Sequence, residues 1–272
     1  CEGTASGDDC RTALWLGIRP VVILPSSTPV VKIGEVWTIP ESATNPEDGT
    51  GGDNSQGDDE VGSDGITSAG TYLPAGFTEV AAATSTTGLT VQDKQGNQYV
   101  WVEVPKTTEV YPTAGLELDL DSLMEPDLTN AYKAIEDDLH TYTETYRNNT
   151  TYEDKWYSKD QHGFASADDY NAQKNKMLKS VYENEGFYIG KYEAGTETAF
   201  DFYPMQSVIV KPNAYPYIYV SPRQAQILAN SMASGAHTSS LMFGVQWDLI
   251  LKYMETKAVQ KGADEDDLVR RK

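Results

Sequence analysis

Cysteine is nearly missing. Cys1 and Cys10 are the only two in 272 residues, and two thiols within ten positions cannot build a disulfide framework. They remain available to pair with each other or with residues upstream. Basic residues are scarce too: Lys and Arg number 21 against 41 Asp and Glu, for a net charge of −20 and a pI near 4.4. That balance repels nucleic acid and disfavours an anionic membrane surface. No apolar run reaches the roughly 20 residues of a membrane span, and no signal-peptide pattern is present. The chain begins on Cys and ends on "DDLVRRK", so both ends are expected to be cuts from something longer. No Gly-rich phosphate loop follows a strand, and no G-x-S-x-G elbow occurs. The three histidines, His140, His162 and His237, lack metal-type spacing and are expected on the surface. An abundance of carboxylates is not by itself a catalytic pair.

What is present reads as a scaffold. The stretch 41–66, "ESATNPEDGTGGDNSQGDDEVGSDGI", carries eight acidic residues and no basic one, and is expected to be a solvated linker. Its "DNSQGDDE" run lacks the alternating Asp, fixed Gly and closing Glu of an EF-hand loop, so calcium is possible but unsupported by motif. Before it, "ALWLGIRPVVILP" has the β-branched, Pro-bounded character of a buried strand, and "VVKIGEVWTIP" of a second, shorter one. After it, "TGLTVQDKQGNQYVWVEVP" is a hairpin about the turn residues "DKQGN". Its Val100, Val102 and Val104 face is the better core candidate, opposite Tyr99 and Trp101.

Four helices follow. The first opens near Asp127 or Thr129 as N-cap, with Leu128, Tyr132, Ile135 and Leu139 as its apolar stripe. Ser166 caps the second, Tyr170, Met177, Leu178, Val181 and Tyr182 form its stripe, and Gly186 stops it. The third runs from Ser221 to about Met232. The fourth spans about Val245–Met254, with Trp247, Ile250, Leu251 and Met254 expected to face the core. Between the second and third lies "GFYIGKYEAG" (186–195), expected to be a buried strand with Phe187 and Ile189 on one face and Tyr188, Gly190 and Tyr192 on the other.

The order of these pieces resembles the formylglycine-generating, or sulfatase-modifying-factor, family. "YVWVEVP" (99–105) is similar to that family's "FVWVPGG" strand, and "FYIGKYEAG" (187–195) to its "F-x-I-x-K-Y-E-V-T" segment. "PYIYVSPRQAQILANSM" (216–232) resembles "P-V-x-x-V-S-W-x-x-A", with Pro222 where the family has Trp. "LMFGVQWDLILKYM" (241–254) resembles "R-L-P-T-E-A-E-W-E-Y-A", with Gln246 and Trp247 on its Glu-Trp pair. The resemblance implies an α+β, C-type-lectin-like fold: a small twisted antiparallel sheet, a few helices and long irregular loops. "LWLGIRPVVIL" (14–24) is similar to the family's closing "G-F-R-V-x-L" strand, although it stands first. The expected organisation is therefore 1–40 as closing strands of a preceding lectin-like domain, 41–69 as linker, and 70–272 as a second domain lacking its closing region. A rarer alternative is that the early strand completes the later domain as a permuted partner.

The family's oxidase chemistry rests on copper held by a cysteine pair, and residues 73–272 contain no cysteine. The expected function is therefore a non-catalytic, extracellular ligand-binding or display domain, with no metal or cofactor of its own and a cell-surface protein or glycan as partner. Similar domains occur on surface and pilin-like proteins of gut bacteria and in their phages. The alternatives are a structural subunit domain of a pilus or phage tail, assembled into a larger surface structure, and part of an oxidase whose cysteines lie outside the chain. Trp156, Tyr157, Tyr203, Tyr215 and Tyr217, on loops 148–164 and 200–219, are the candidate ligand contacts, as rigid amphipathic side chains. Trp101, Phe187, Tyr192, Glu193 and Trp247 are the candidate scaffold residues. Glu193 is expected to cap neighbouring backbone amides.

Overall fold

The computed structural model describes residues 64–81, 88–147, 154–199, 207–233 and 237–260, with the backbone alone at 20–23, 31–33, 36–38, 81, 147 and 258–260. The fold is α+β. Its centre is a six-stranded sheet of β1 (Pro20–Ile23), β6 (Thr78–Ala81), β7 (Thr90–Gln92), β8 (Gln98–Glu103), β9 (Gly186–Gly190) and β12 (Thr238–Leu241). Their order is β12-β1-β9-β8-β7-β6, and every pairing is antiparallel. Three two-stranded ribbons complete the strands: β2 (Val31–Ile33) with β3 (Val36–Thr38), β4 (Gly65–Ile66) with β5 (Tyr72–Leu73), and β10 (Gly195–Thr196) with β11 (Tyr215–Pro216). The helices are α1 (Asp127–Tyr142), a single turn α2 (Lys159–His162), α3 (Ala167–Asn184), α4 (Pro222–Asn230) and α5 (Gly244–Gln260).

The hairpin turn forms as its residues dictate. Asp93 accepts from the amides of Gln95 and Asn97, both at 2.9 Å, and Gly96 takes φ 82°, which glycine adopts without steric cost. Asn97 then ties the turn to a distant loop, its side-chain oxygen accepting from the Val210 amide at 2.8 Å. β8 and β9 pair in register from Tyr99↔Gly190 to Glu103↔Gly186. All five residues of β9 are buried, so "GFYIG" is a central strand.

Both faces of the sheet are covered, which the valine-face expectation misses. Val102, Val104, Phe187 and Ile189 meet Ile135 and Leu139 of α1, Met177, Leu178 and Val181 of α3, and Val245 and Leu249 of α5. On the other face Tyr99, Trp101 and Tyr188 pack with Tyr72, Leu89 and Val91. Trp101 lies opposite Tyr188, their ring centres 4.8 Å apart and edge to face, and the Tyr188 hydroxyl donates to the Tyr72 carbonyl at 2.7 Å. A two-sided sheet has no polar face, so strict in-out alternation is lost and aromatics serve as core on both sides. Gly186 sits where a Cβ would come within 2.4 Å of the Val102 carbonyl oxygen.

Helix ends follow local rules in α3 and α4. Ser166 accepts from the Asp169 amide, and Ser221 forms a reciprocal capping box with Gln224, Pro222 filling the first turn. The α1 start differs from expectation: Pro126 stands at the N-cap with no side-chain cap, and the Thr129 hydroxyl donates instead to Glu125 at 2.6 Å. α5 corrects a second expectation. Trp247 is 42 % exposed and Met254 59 %. Val245 and Leu249, one turn apart, set the inward face, and Trp247 lies about 200° round the helix from Val245.

Two domain-level observations concern the early residues. β1 comes from the segment assigned by resemblance to the close of a preceding domain, and it lies between β9 and β12 in this sheet. Part of the expected linker is also among the described residues and is paired. Asp64 accepts from the Ala75 amide at 2.8 Å, β4 occupies residues 65–66, and Thr67 is buried. The acidic residues 41–63 lie outside the described residues, as do Cys1 and Cys10. No described helix is long and apolar enough to cross a membrane.

Candidate functional site

Two regions gather chemistry, and they differ in what they leave available. The first is a cleft of about 380 Å³ between α1 and α3, lined by Thr129, Tyr132, Glu136, His140, Asn171 and Asn175 among others. Glu136 and His140 are one helical turn apart on α1. With Asp154 they bring three potential ligand atoms within 4.8 Å of one another. This corrects the expectation of scattered surface histidines. His140 is only 19 % exposed. His237 is buried among Tyr72, Phe77 and Asp64. His162 stacks on Tyr157 at 5.6 Å and meets the edge of Tyr170 at 5.2 Å, and its burial lowers its pKa. Sequence spacing alone does not bring a loop carboxylate to a helical Glu–His pair.

The triad's charges are already engaged. The Lys174 ammonium, from α3, donates to both Glu136 oxygens at 3.0 and 2.9 Å and to the Asp154 carbonyl at 2.7 Å. Burial alone would raise the Glu136 carboxyl. The His140 ring, 3.8 Å away, and the hydrogen-bonded Lys174 ammonium overcome that and hold it below the ordinary value. The Asp154 carboxylate accepts from the amides of Gly244 and Val245, each at 2.9 Å, the first N–H groups of α5, where a helix favours negative charge. Lys174 thus neutralises Glu136 at the edge of the triad, and the cluster works as an electrostatic tie joining α1, α3, the 154 loop and α5.

The second region is the loop between β10 and α4. Its two ends are fixed. Gly195 exchanges backbone hydrogen bonds with Ile209, both at 2.9 Å, and β10 pairs with β11, Gly195 opposite Pro216. A Cβ on Gly195 would lie 2.4 Å from the Tyr215 carbonyl oxygen. At the far end Val220 packs inward and Ser221 starts α4. Tyr217 anchors the middle: 4 % exposed, it packs with Ala194, Ala225 and Leu228 and donates its amide to the Ala194 carbonyl at 3.1 Å. Around that anchor Tyr215 is 50 %, Ile218 47 % and Tyr219 81 % exposed. Asn213 and Tyr219 hold left-handed backbone, φ 62° and 56°. For a tyrosine that conformation is strained, and strain of this kind concentrates at functional loops.

The candidate ligand contacts therefore divide. Tyr215 and Tyr157, the latter 59 % exposed, present their rings to solvent. Trp156 is half-buried against the main core and donates its indole N–H to the Phe164 carbonyl at 3.3 Å. Tyr217 is corrected to core, and Tyr203 lies outside the described residues. The loop containing Tyr157 and the one containing Tyr215 converge on α4. α2 packs there, and a Cβ on Gly163 would come within 3.1 Å of the Arg223 Cα. Among the scaffold candidates Trp101 and Phe187 are core and Tyr192 is half-buried. Glu193, expected to cap backbone amides, is also half-buried.

Sequence reasoning missed Ile218 and Tyr219. "YIYV" alternates like a strand, which would turn Tyr219 inward beside Tyr217. The left-handed φ at Tyr219 breaks that alternation. No family model matches the chain, and no curated protein or solved structure does.

Proposed function

We propose that the chain is a non-catalytic, extracellular ligand-binding domain of the display or adhesin type, built on a C-type-lectin-like scaffold. The observation that carries this reading is the clamped loop 213–221. It turns Tyr215, Ile218 and Tyr219 outward from a backbone fixed at both ends and anchored by Tyr217. Rigid aromatics offer large contact area with little side-chain entropy left to lose on binding. The α+β layout, the strand-rich core and the place of β1 beside β9 support the lectin-like scaffold that the sequence resemblance implies. The engagement of Glu136 with Lys174, and of Asp154 with the α5 amides, favours binding over chemistry.

The test is a screen of the intact chain against arrayed glycans and whole cells, bacterial and mammalian, repeated with Tyr219→Ser. The expected result is at least one binding signal that falls about tenfold or more in the variant, as for an aromatic hot spot. Binding that is identical in the variant would count against this face.

A further inference from the structure

β1 holds an unusual place. Among the described residues it is the one strand that joins β12 to the rest of the sheet: β12 pairs with β1, and β1 pairs onward to β9. Its register runs Val21↔Ser240 and Val22↔Ser239 on one side, Val21↔Ile189 and Val22↔Tyr188 on the other. The slot it fills is interior, since Tyr188, Ser239 and Ser240 are buried, and α3 and α4 pack beside it. Without β1, the backbone groups of two strands would face each other unpaired inside the protein, at a cost for every orphaned N–H and C=O.

The slot's occupant is joined to the rest of the sheet through a long stretch of chain. From Ile23 to Gly65 lie roughly 40 residues, and with the β2–β3 ribbon folded back on itself their contour is up to about 120 Å. We propose that the β9–β12 slot also accepts β1 from a second copy of this chain, so that two copies interlock by reciprocal strand exchange. The same strand in the same register makes the same hydrogen bonds from either copy, so the two forms differ chiefly in tethering. A tether of this length gives an effective concentration of about a millimolar or less, so exchange competes only when copies are crowded to that level. Dilute chains are monomers, and dense arrays or concentrated refolding mixtures are exchanged dimers.

The test uses the full chain with Cys1 and Cys10 replaced by Ser. Val22→Cys is placed in one copy and Ser239→Cys in another. Directly opposed antiparallel residues stand about 4.5–5.5 Å apart at Cα, within disulfide reach. The two copies are unfolded together, refolded at about 10 μM or about 1 mM, spanning the tether's effective concentration, and oxidised. The expected result is a Val22–Ser239 linked dimer, in about tenfold or greater excess at the higher concentration. A control pairing Val22→Cys with Lys159→Cys should give none. Two outcomes overturn the proposal: cross-linking no greater than the control at the higher concentration, or failure of the Val22→Cys/Ser239→Cys double variant to close its own disulfide as a monomer. The unsubstituted chain guards against misfolding of the variants. Sized after the same refolding, it should give a dimer that rises with concentration and persists on dilution, and monomer at both concentrations refutes exchange.

Discussion

Glu183 lies in the last turn of α3, where the helix already concentrates negative charge. Its side chain is 24 % exposed and stands 3.9 Å from Lys179, but Lys179 is held more tightly by Asp121. Burial is the main reason that the Glu183 carboxyl is pushed up to about 7, with Asp121 and Asp119 adding to it against Lys179 and Lys106. The same contacts raise the Lys179 ammonium despite its burial, with Asp121 the leading partner. The fold therefore favours Glu183 protonated. A carboxyl whose folded pKa lies above its unfolded value, near 4.5, contributes its full stability below pH 4.5 and loses it as pH rises towards 7. A rise from 4.5 to about 7 corresponds to roughly 3 kcal/mol, and partial solvent contact reduces this to about 2 kcal/mol. Glu183→Gln keeps the shape and removes the titration. Its melting temperature should match the parent at pH 4 and exceed it by about 4–8 °C at pH 8. Melts followed by circular dichroism between pH 4 and 8 measure this directly. A pH-independent difference, or a variant less stable at pH 8, refutes the reasoning.

Two substitutions of large aromatics separate core from surface. Phe187→Ala should cost about 3–5 kcal/mol through a cavity in the main core, whereas Trp247→Ala, on the exposed side of α5, should cost about 1 kcal/mol or less; paired denaturant titrations decide it. Lys174→Met strips the ammonium from Glu136 and leaves a part-buried carboxylate without its cation. Destabilisation by about 3 kcal/mol or more at pH 7, diminishing as Glu136 is protonated at low pH, is the expected result.

The strands and helices with strong local signals were legible in the sequence. The hairpin turn carried Asp93 and Gly96, α3 and α4 carried serine caps, and the α3 stripe contained only residues that are buried. What local pattern could not supply was rotation and partnership. An apolar residue at helical spacing marks a stripe, but Trp247 and Val245 lie on opposite sides of α5, and only packing against β8 and α1 selects between them. Tyr217 and Tyr219 look alike two positions apart, yet one left-handed residue sends one inward and the other out. The tie at Glu136 needed Asp154 and Lys174 from two further elements, and the pairing of β1 with β9 spans most of the chain. Such contacts have no signature in any short window.

The claim that loop 213–221 is a binding face on an independent scaffold is tested most directly by one paired measurement on the triple variant Tyr215→Ala/Ile218→Ala/Tyr219→Ala. Its thermal melt is recorded alongside its binding to whichever glycan or cell surface the parent chain retains. Solvent-facing side chains away from the core each change stability by about 0.5 kcal/mol or less, so the melting temperature should stay within a few degrees of the parent. Binding should be lost. A melting temperature that collapses as far as that of Phe187→Ala, or binding that survives all three changes, would contradict the account.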